Sequence, residues 1–206
     1  MKLDLWLLFV GLDTALCFTP GPAVLFVVAQ GLRWGGRKSL WANGGILSGN
    51  VFYFLLSATG LGAVLLASHG LFVAIKWCGA AFLLWLGLRA FFGHAGITRV
   101  KAAEGPPIAG PKLFAQAFAL QAANPKALIF FVALLPQFID AQAPIWPQII
   151  ILTVTSTVIE FAVLALYGYG AGRFAQAAMQ PHIATWLDRG AGSLLIAAAA
   201  LTISRS

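Results

Sequence analysis

Thr19-Pro20-Gly21-Pro22-Ala23-Val24-Leu25-Phe26 interrupts an apolar run that extends from residue 5 to residue 29. A proline inside a helix removes one backbone hydrogen bond and clashes with the preceding turn. Two prolines around a glycine do so twice, so no unbroken helix is expected through this run. The carbonyls freed near Cys17 and Phe18 need partners, which a neighbouring helix, water or a substrate can supply. A second interruption, Asn124-Pro125-Lys126-Ala127-Leu128-Ile129-Phe130, lies in another long apolar run. Asn124 should end a helix as well, because the residue before a proline is pushed out of the α region. Pro125 follows Pro22 by 103 residues, half the length of the 206-residue chain.

The composition around these two motifs requires lipid as solvent. Hydrophobic residues make up 60% of the chain and charged residues 9%, with a mean hydropathy of +0.88. Soluble domains run nearer 45–50% apolar and about 25% charged. The net charge of +7 would suit nucleic acid only on a soluble basic face, and no such face is visible. Cys17 and Cys78 both lie in apolar stretches, so no disulfide framework is implied.

Six apolar segments, roughly 5–29, 41–67, 71–92, 113–138, 147–172 and 186–204, are each long enough to cross a hydrocarbon core of about 30 Å. The first is read as a retained span rather than a signal peptide: Lys2 is offset by Asp4, no small-residue cleavage site follows, and the apolar run continues past Pro22. Arg33, Arg37, Lys38, Arg89, Arg99, Lys101, Lys112, Arg173 and Arg189 fall on one side of these spans, and only Lys2, Lys76 and Arg205 on the other. That asymmetry places the first group in the cytoplasm and both termini outside it. The expected fold is therefore an all-α integral membrane protein of six transmembrane helices, with helices one and four broken. It forms one transporter domain over residues 1–206: repeat one is 1–92, a cytoplasmic linker rich in Gly and Pro is 93–112, and repeat two is 113–206. Three spans per unit is an odd number, so the second copy enters the membrane from the opposite side, the inverted-repeat arrangement of many secondary transporters. Paired helix breaks then point to a binding site near the bilayer midplane.

Phe18-Thr19-Pro20-Gly21-Pro22, Gly35-Gly36-Arg37-Lys38, Gly45-Ile46-Leu47-Ser48-Gly49-Asn50, Asn124-Pro125-Lys126-Ala127 and Leu135-Pro136-Gln137-Phe138 together resemble the LysE/RhtB family of bacterial amino-acid exporters, the lysine and homoserine-threonine exporter type. The resemblance covers nearly the whole chain. It implies an inner-membrane secondary exporter, not an enzyme, that exchanges protons for an amino acid or close derivative without a cofactor. In that family the branch exporting basic amino acids tends to be acidic near the position of Asn50 and again just after the Asn-Pro step. Here those places hold Asn50 and apolar 127–130, which favours a neutral substrate.

Ionisable groups inside spans are expensive and default to functional candidates. Asp13 shares a helical face with Cys17 and Pro20; it either takes a proton, meets a substrate ammonium, or is held by a helix packing partner. Glu160 lies mid-span five, on a stripe with Thr153, Thr157 and Tyr167, and is the foremost candidate to carry a proton. Lys126 directly follows the second break, where it binds a substrate carboxylate, pairs with Asp13 or Glu160, or snorkels to an interface. In span two Asn43, Asn50 and Ser57 recur every seven residues with Tyr53 close to the same face, and Asn50 is the member assigned to the site. The substrate-binding candidates are thus Thr19, Pro20, Gly21, Pro22, Asn50, Tyr53, Asn124, Pro125 and Lys126, and the proton-coupling candidates are Asp13 and Glu160. Thr19 and Gly21 are expected to offer backbone N–H groups to the substrate carboxylate.

Gly45-x3-Gly49 and Gly168-x3-Gly172 permit close helix approach within the monomer or in a homo-oligomer. Tryptophans 6, 34, 41, 77, 146 and 186 sit near span ends, as an aromatic belt would. His69, His94 and His182 are scattered and build no metal site. Two other readings remain open. One is a carrier of thiol redox equivalents with a cysteine beside each proline break, for which Cys17 fits but the second half has no cysteine. The other is an accessory membrane subunit without transport, which would not need polar stripes facing a shared cavity.

Overall fold

The computed structural model describes residues 3–67, 69–92, 108–124, 126–127, 130–140, 142–171 and 180–204. Pro125, most of the 93–112 linker, Arg173 and Gly172 lie outside the described residues. All regular structure among the described residues is helical. In chain order the helices are α1 (Leu3–Phe18), α2 (Pro22–Trp34), α3 (Gly36–Ala67), α4 (His69–Phe92), α5 (Gly110–Ala122), α6 (Ile145–Tyr169) and α7 (Pro181–Ser204). Between α5 and α6 the chain makes a π-helical turn at Phe130–Leu134 and a 3-10 turn at Leu135–Phe138.

The first expected span divides where the prolines require it. α1 stops at Phe18, α2 starts at Pro22, and their axes differ by 53°. Proline suits the first turn of a helix, where its missing N–H would lack a partner anyway. The bent pair and α6 each combine the length and apolarity of a membrane span. α2 ends at Gly35, whose φ of 79° is the left-handed conformation that glycine adopts without a Cβ clash. Its N–H returns to Gly31 O at 3.0 Å. The fourth segment is more fragmented than expected: α5 ends at Ala122, and irregular helix follows from 130 to 138. Gln137 holds this stretch by donating from Nε2 to Ala133 O at 3.2 Å.

Small residues set the helix spacing. A Cβ on Gly45 would lie 2.2 Å from Phe114 O, and one on Gly49 would lie 3.0 Å from the Gln121 side chain. The first glycine pair therefore seats α3 on α5 within the monomer. Gly168 faces Ser39 Oγ and the backbone of Gly31, which brings α6 against α2 and α3. α4 packs on α7, while α1 packs on α6 and α7.

α6 shows why the chain tolerates so little charge. Val154, Val158 and Phe161 are about half exposed or more, whereas Ser156, Glu160 and Tyr167 are buried. An apolar outer face with a polar inner one is the reverse of a soluble amphipathic helix and suits lipid. Trp41, Trp77, Trp146 and Trp186 are likewise exposed. Trp6 instead donates from Nε1 to Thr155 Oγ1 at 3.0 Å, tying α1 to α6.

Apolar packing among the described residues falls into two clusters. One gathers Phe9, Leu12, Phe54, Phe131, Phe138 and Leu195. The other gathers Val24, Val27, Ile46, Leu113, Val163 and Tyr167.

Candidate functional site

Each break leaves particular carbonyls without donors, and the neighbouring helices supply them. Proline at 20 removes the donor that Leu16 O would have met four residues on, and proline at 22 does the same for Phe18 O. Leu16 O accepts from Lys126 Nζ at 2.6 Å, and so does Thr19 O at 3.0 Å. Phe18 O accepts from Tyr167 Oη at 2.8 Å. At the second break the N–H of Lys126, which would have served Ala122 O in a continuous helix, donates to Asn124 Oδ1 at 3.0 Å. Tyr53 Oη replaces it on Ala122 O at 2.6 Å. Both breaks are thus pinned by a tyrosine from the other half of the chain.

Lys126 lines the cavity and donates from its ammonium to carbonyls of the first break, and so ties the second break to the first.

The two restarts differ in one respect. Asn124 is the residue just before Pro125 and caps the second restart with its own side chain, the usual N-cap arrangement. Gly21 occupies the equivalent place at the first restart and makes no side-chain cap. Leu25 is the first amide of α2 to reach a carbonyl, Gly21 O at 2.9 Å. The amides of Ala23 and Val24 precede it, at the electropositive pole of a 13-residue helix. The N–H of Thr19, by contrast, turns back to Ala15 O and Leu16 O at 3.1 and 3.2 Å. Thr19 closes α1 rather than offering an amide to a ligand.

A cavity of about 270 Å3 opens between the two breaks. Gly21, Ala23 and Val24 line it beside Asp13, Asn50, Asn124, Lys126 and Glu160. Leu83, Phe130, Phe131, Leu134, Leu164 and Leu195 form an apolar wall. Cys17 also lines the cavity, as a free thiol. Tyr53 sits just behind, stacked on Phe131 at 5.1 Å between ring centroids.

The two carboxyls are held differently. Asp13 Oδ1 accepts from Ser156 Oγ at 3.3 Å, while Oδ2 is buried with no hydrogen-bond partner among the described residues. Glu160 Oε2 accepts from Asn50 Nδ2. Asn50 Oδ1 in turn accepts from Gln121 Nε2 at 2.6 Å, and Gln121 Oε1 from Asn124 Nδ2 at 2.9 Å.

Of the expected stripe on span five, Glu160 and Tyr167 reach the interior, whereas Thr153 spends its hydroxyl on Ile149 O at 2.7 Å. Asn43 lies apart and donates to Phe161 O at 3.2 Å. Ser156 and Gln121 are the polar cavity residues that sequence reasoning missed. The signal was present as helical spacing: Ser156 precedes Glu160 by four residues and Gln121 precedes Asn124 by three.

Comparison with known proteins gives the family. The LysE type translocator model matches residues 14–206. An uncharacterized membrane protein of Vibrio cholerae is 31% identical over 196 residues, covering 95% of each chain. A homoserine/homoserine lactone efflux protein of Salmonella typhimurium is 30% identical over 204 residues, covering 99% of this chain and 98% of its own. A leucine efflux protein of an Enterobacter strain is 30% identical over 141 residues, 68% of this chain and 66% of that one. No solved structure matches. With its apolar outer faces, broken helices and a family match over nearly all its length, the chain belongs to the LysE type translocators.

Proposed function

We propose that this protein exports a neutral amino acid or close derivative across the bacterial inner membrane in exchange for protons. The names of the efflux relatives support the substrate class. The observation that carries the reading is that the uncapped start of α2 and Asp13, whose Oδ2 has no hydrogen-bond partner among the described residues, line one small cavity. A zwitterion needs an anion site and a cation site a short distance apart. The Ala23 and Val24 amides serve the carboxylate, and Asp13 serves the ammonium. The apolar wall then receives a neutral side chain, in keeping with Asn50 standing where the basic-substrate branch is acidic.

Glu160, buried at the cavity with one oxygen already engaged, carries the proton. Proton entry from outside is exchanged for substrate from inside as the two inverted three-span units, joined by the cytoplasmic linker, rock about the site. Both termini face away from the cytoplasm.

The test is reconstitution into proteoliposomes with labelled homoserine, leucine, threonine and lysine. The expected result is counterflow of a neutral member, accelerated by an inwardly directed proton gradient, with lysine poorly carried. Glu160→Gln should retain substrate exchange and lose the response to the gradient. Gradient-driven export by Glu160→Gln at the parent rate would remove Glu160 from the mechanism.

A further inference from the structure

We propose that Gln121 is a positioning residue that links the proton site to the second helix break through a one-directional chain of hydrogen bonds, an inference that rests on the exporter reading above. The chain runs from the Lys126 N–H to Asn124, Gln121, Asn50 and finally Glu160. It crosses from the break to the end of α5, then to α3 and α6.

The direction of this chain is dictated at its start. A backbone N–H can only donate, so the atom of Asn124 facing Lys126 is the carbonyl oxygen. The Asn124 amide nitrogen therefore faces Gln121 and donates to its oxygen. The Gln121 nitrogen is left to face Asn50, and the Asn50 nitrogen to face Glu160. Flipping any one amide would set two donors or two acceptors against each other. All three amides are buried, Gln121 to 4% exposure, where an unpaired polar group is costly.

Glu160 Oε2 is thus held as an acceptor by a chain that originates at the break. A carboxylate is a stronger acceptor than a carboxylic acid, so gain of a proton weakens the terminal bond and loosens the chain of amides behind it. The same residue that begins the chain with its N–H, Lys126, holds Leu16 O and Thr19 O with its ammonium. Proton binding at Glu160 accordingly reaches the first break, and the uncapped amides of α2, through Asn50, Gln121, Asn124 and Lys126. Coupled hydrogen-bond networks of this kind change together rather than bond by bond.

The experiment compares wild type, Gln121→Leu, Gln121→Glu and Asn43→Leu in proteoliposomes, with labelled homoserine and leucine. Two rates are read: counterflow at equal pH on both sides, and gradient-driven transport over a pH series. Asn43 is a buried amide on the same helix as Asn50 but outside the chain, so its variant controls for structural damage. Gln121→Leu is expected to lose gradient-driven transport by about tenfold or more, a larger loss than it causes in counterflow. Its pH profile should move while that of Asn43→Leu stays in place. In a Glu160→Gln background, Gln121→Leu should add no further loss of gradient drive.

Gln121→Glu preserves size and replaces the donor toward Asn50 with an oxygen. It should also move the pH profile, and it decides the matter where the leucine variant does not fold. A wild-type pH profile and gradient response in a folded Gln121 variant overturns the relay alone. Absence of counterflow by the wild-type protein with every amino acid offered overturns the exporter reading and the relay with it.

Discussion

Tyr167→Phe removes one hydroxyl from the hydrophobic interior and tests the account of the first break. Tyr167 Oη donates to Phe18 O at 2.8 Å, the carbonyl whose helical donor would have been the N–H of residue 22, a proline. The ring is fully buried and can be left in place by phenylalanine. An orphaned buried acceptor costs about 1–3 kcal/mol, and the apolar surroundings favour the upper half of that range. For a chain of this length about 1 kcal/mol moves the melting temperature by about 2–4 °C. Tyr167→Phe should therefore melt roughly 4–12 °C below wild type in detergent, read by loss of the monodisperse peak in size-exclusion chromatography after heating. Pro22→Ala restores an amide four residues after Phe18. Added to Tyr167→Phe, it should recover about 1 kcal/mol more than it gives in the wild-type background, the interaction term of a double-mutant cycle. Strictly additive effects, or an unchanged melting curve for Tyr167→Phe, would refute the claim that the tyrosine stands in for the missing amide.

Gly45→Ala places a methyl 2.2 Å from Phe114 O, against the 3.3 Å or more that such a contact requires, so α3 and α5 must part by about 1 Å. Overpacking of this kind costs about 1–3 kcal/mol, visible as a melting temperature lower by roughly 2–12 °C; Gly60→Ala, with open space at its Cβ, should melt with wild type. Asp13→Asn keeps the contact with Ser156 but removes the charge proposed to meet the substrate ammonium, so equilibrium binding of the neutral substrate should weaken by about tenfold or more, measured by isothermal titration. Binding at wild-type strength would reassign Asp13. A reporter active only outside the cytoplasm, fused after Ser206, should be active, and a silent fusion would reverse the orientation drawn from the basic residues.

Much of the site was legible because its defining constraints are covalent. Proline has no N–H wherever the chain goes, so the two breaks and the carbonyls they orphan near residue 18 follow from the sequence. Glu160 and Asp13 were legible for a related reason: a carboxyl in so apolar a run must be enclosed. What escaped is the choice among partners. Leu16 O and Phe18 O required donors, yet nothing in the order of residues says that Lys126 takes one and Tyr167 the other. Lys126 offered a carboxylate, an acid pair or an interface as destinations. In the packed helices its ammonium meets two carbonyls of the first break. The expected inner stripe of α6 took in Thr153 and Thr157 and passed over Ser156, but a hydroxyl in a helix can satisfy itself on the carbonyl four residues back, as that of Thr153 does.

The sequence by itself determined that the chain is helical and bathed in lipid, that two helices break, and where. These follow from composition, length and the chemistry of proline, all of them local or summed properties. Only the tertiary structure decided that the breaks face one cavity, that Gly21 leaves its helix start open while Asn124 closes its own, and that three amides join Glu160 to the second break. Such bonds connect residues about 70 and 110 positions apart, and their geometry exists only once helix packing has fixed which faces meet.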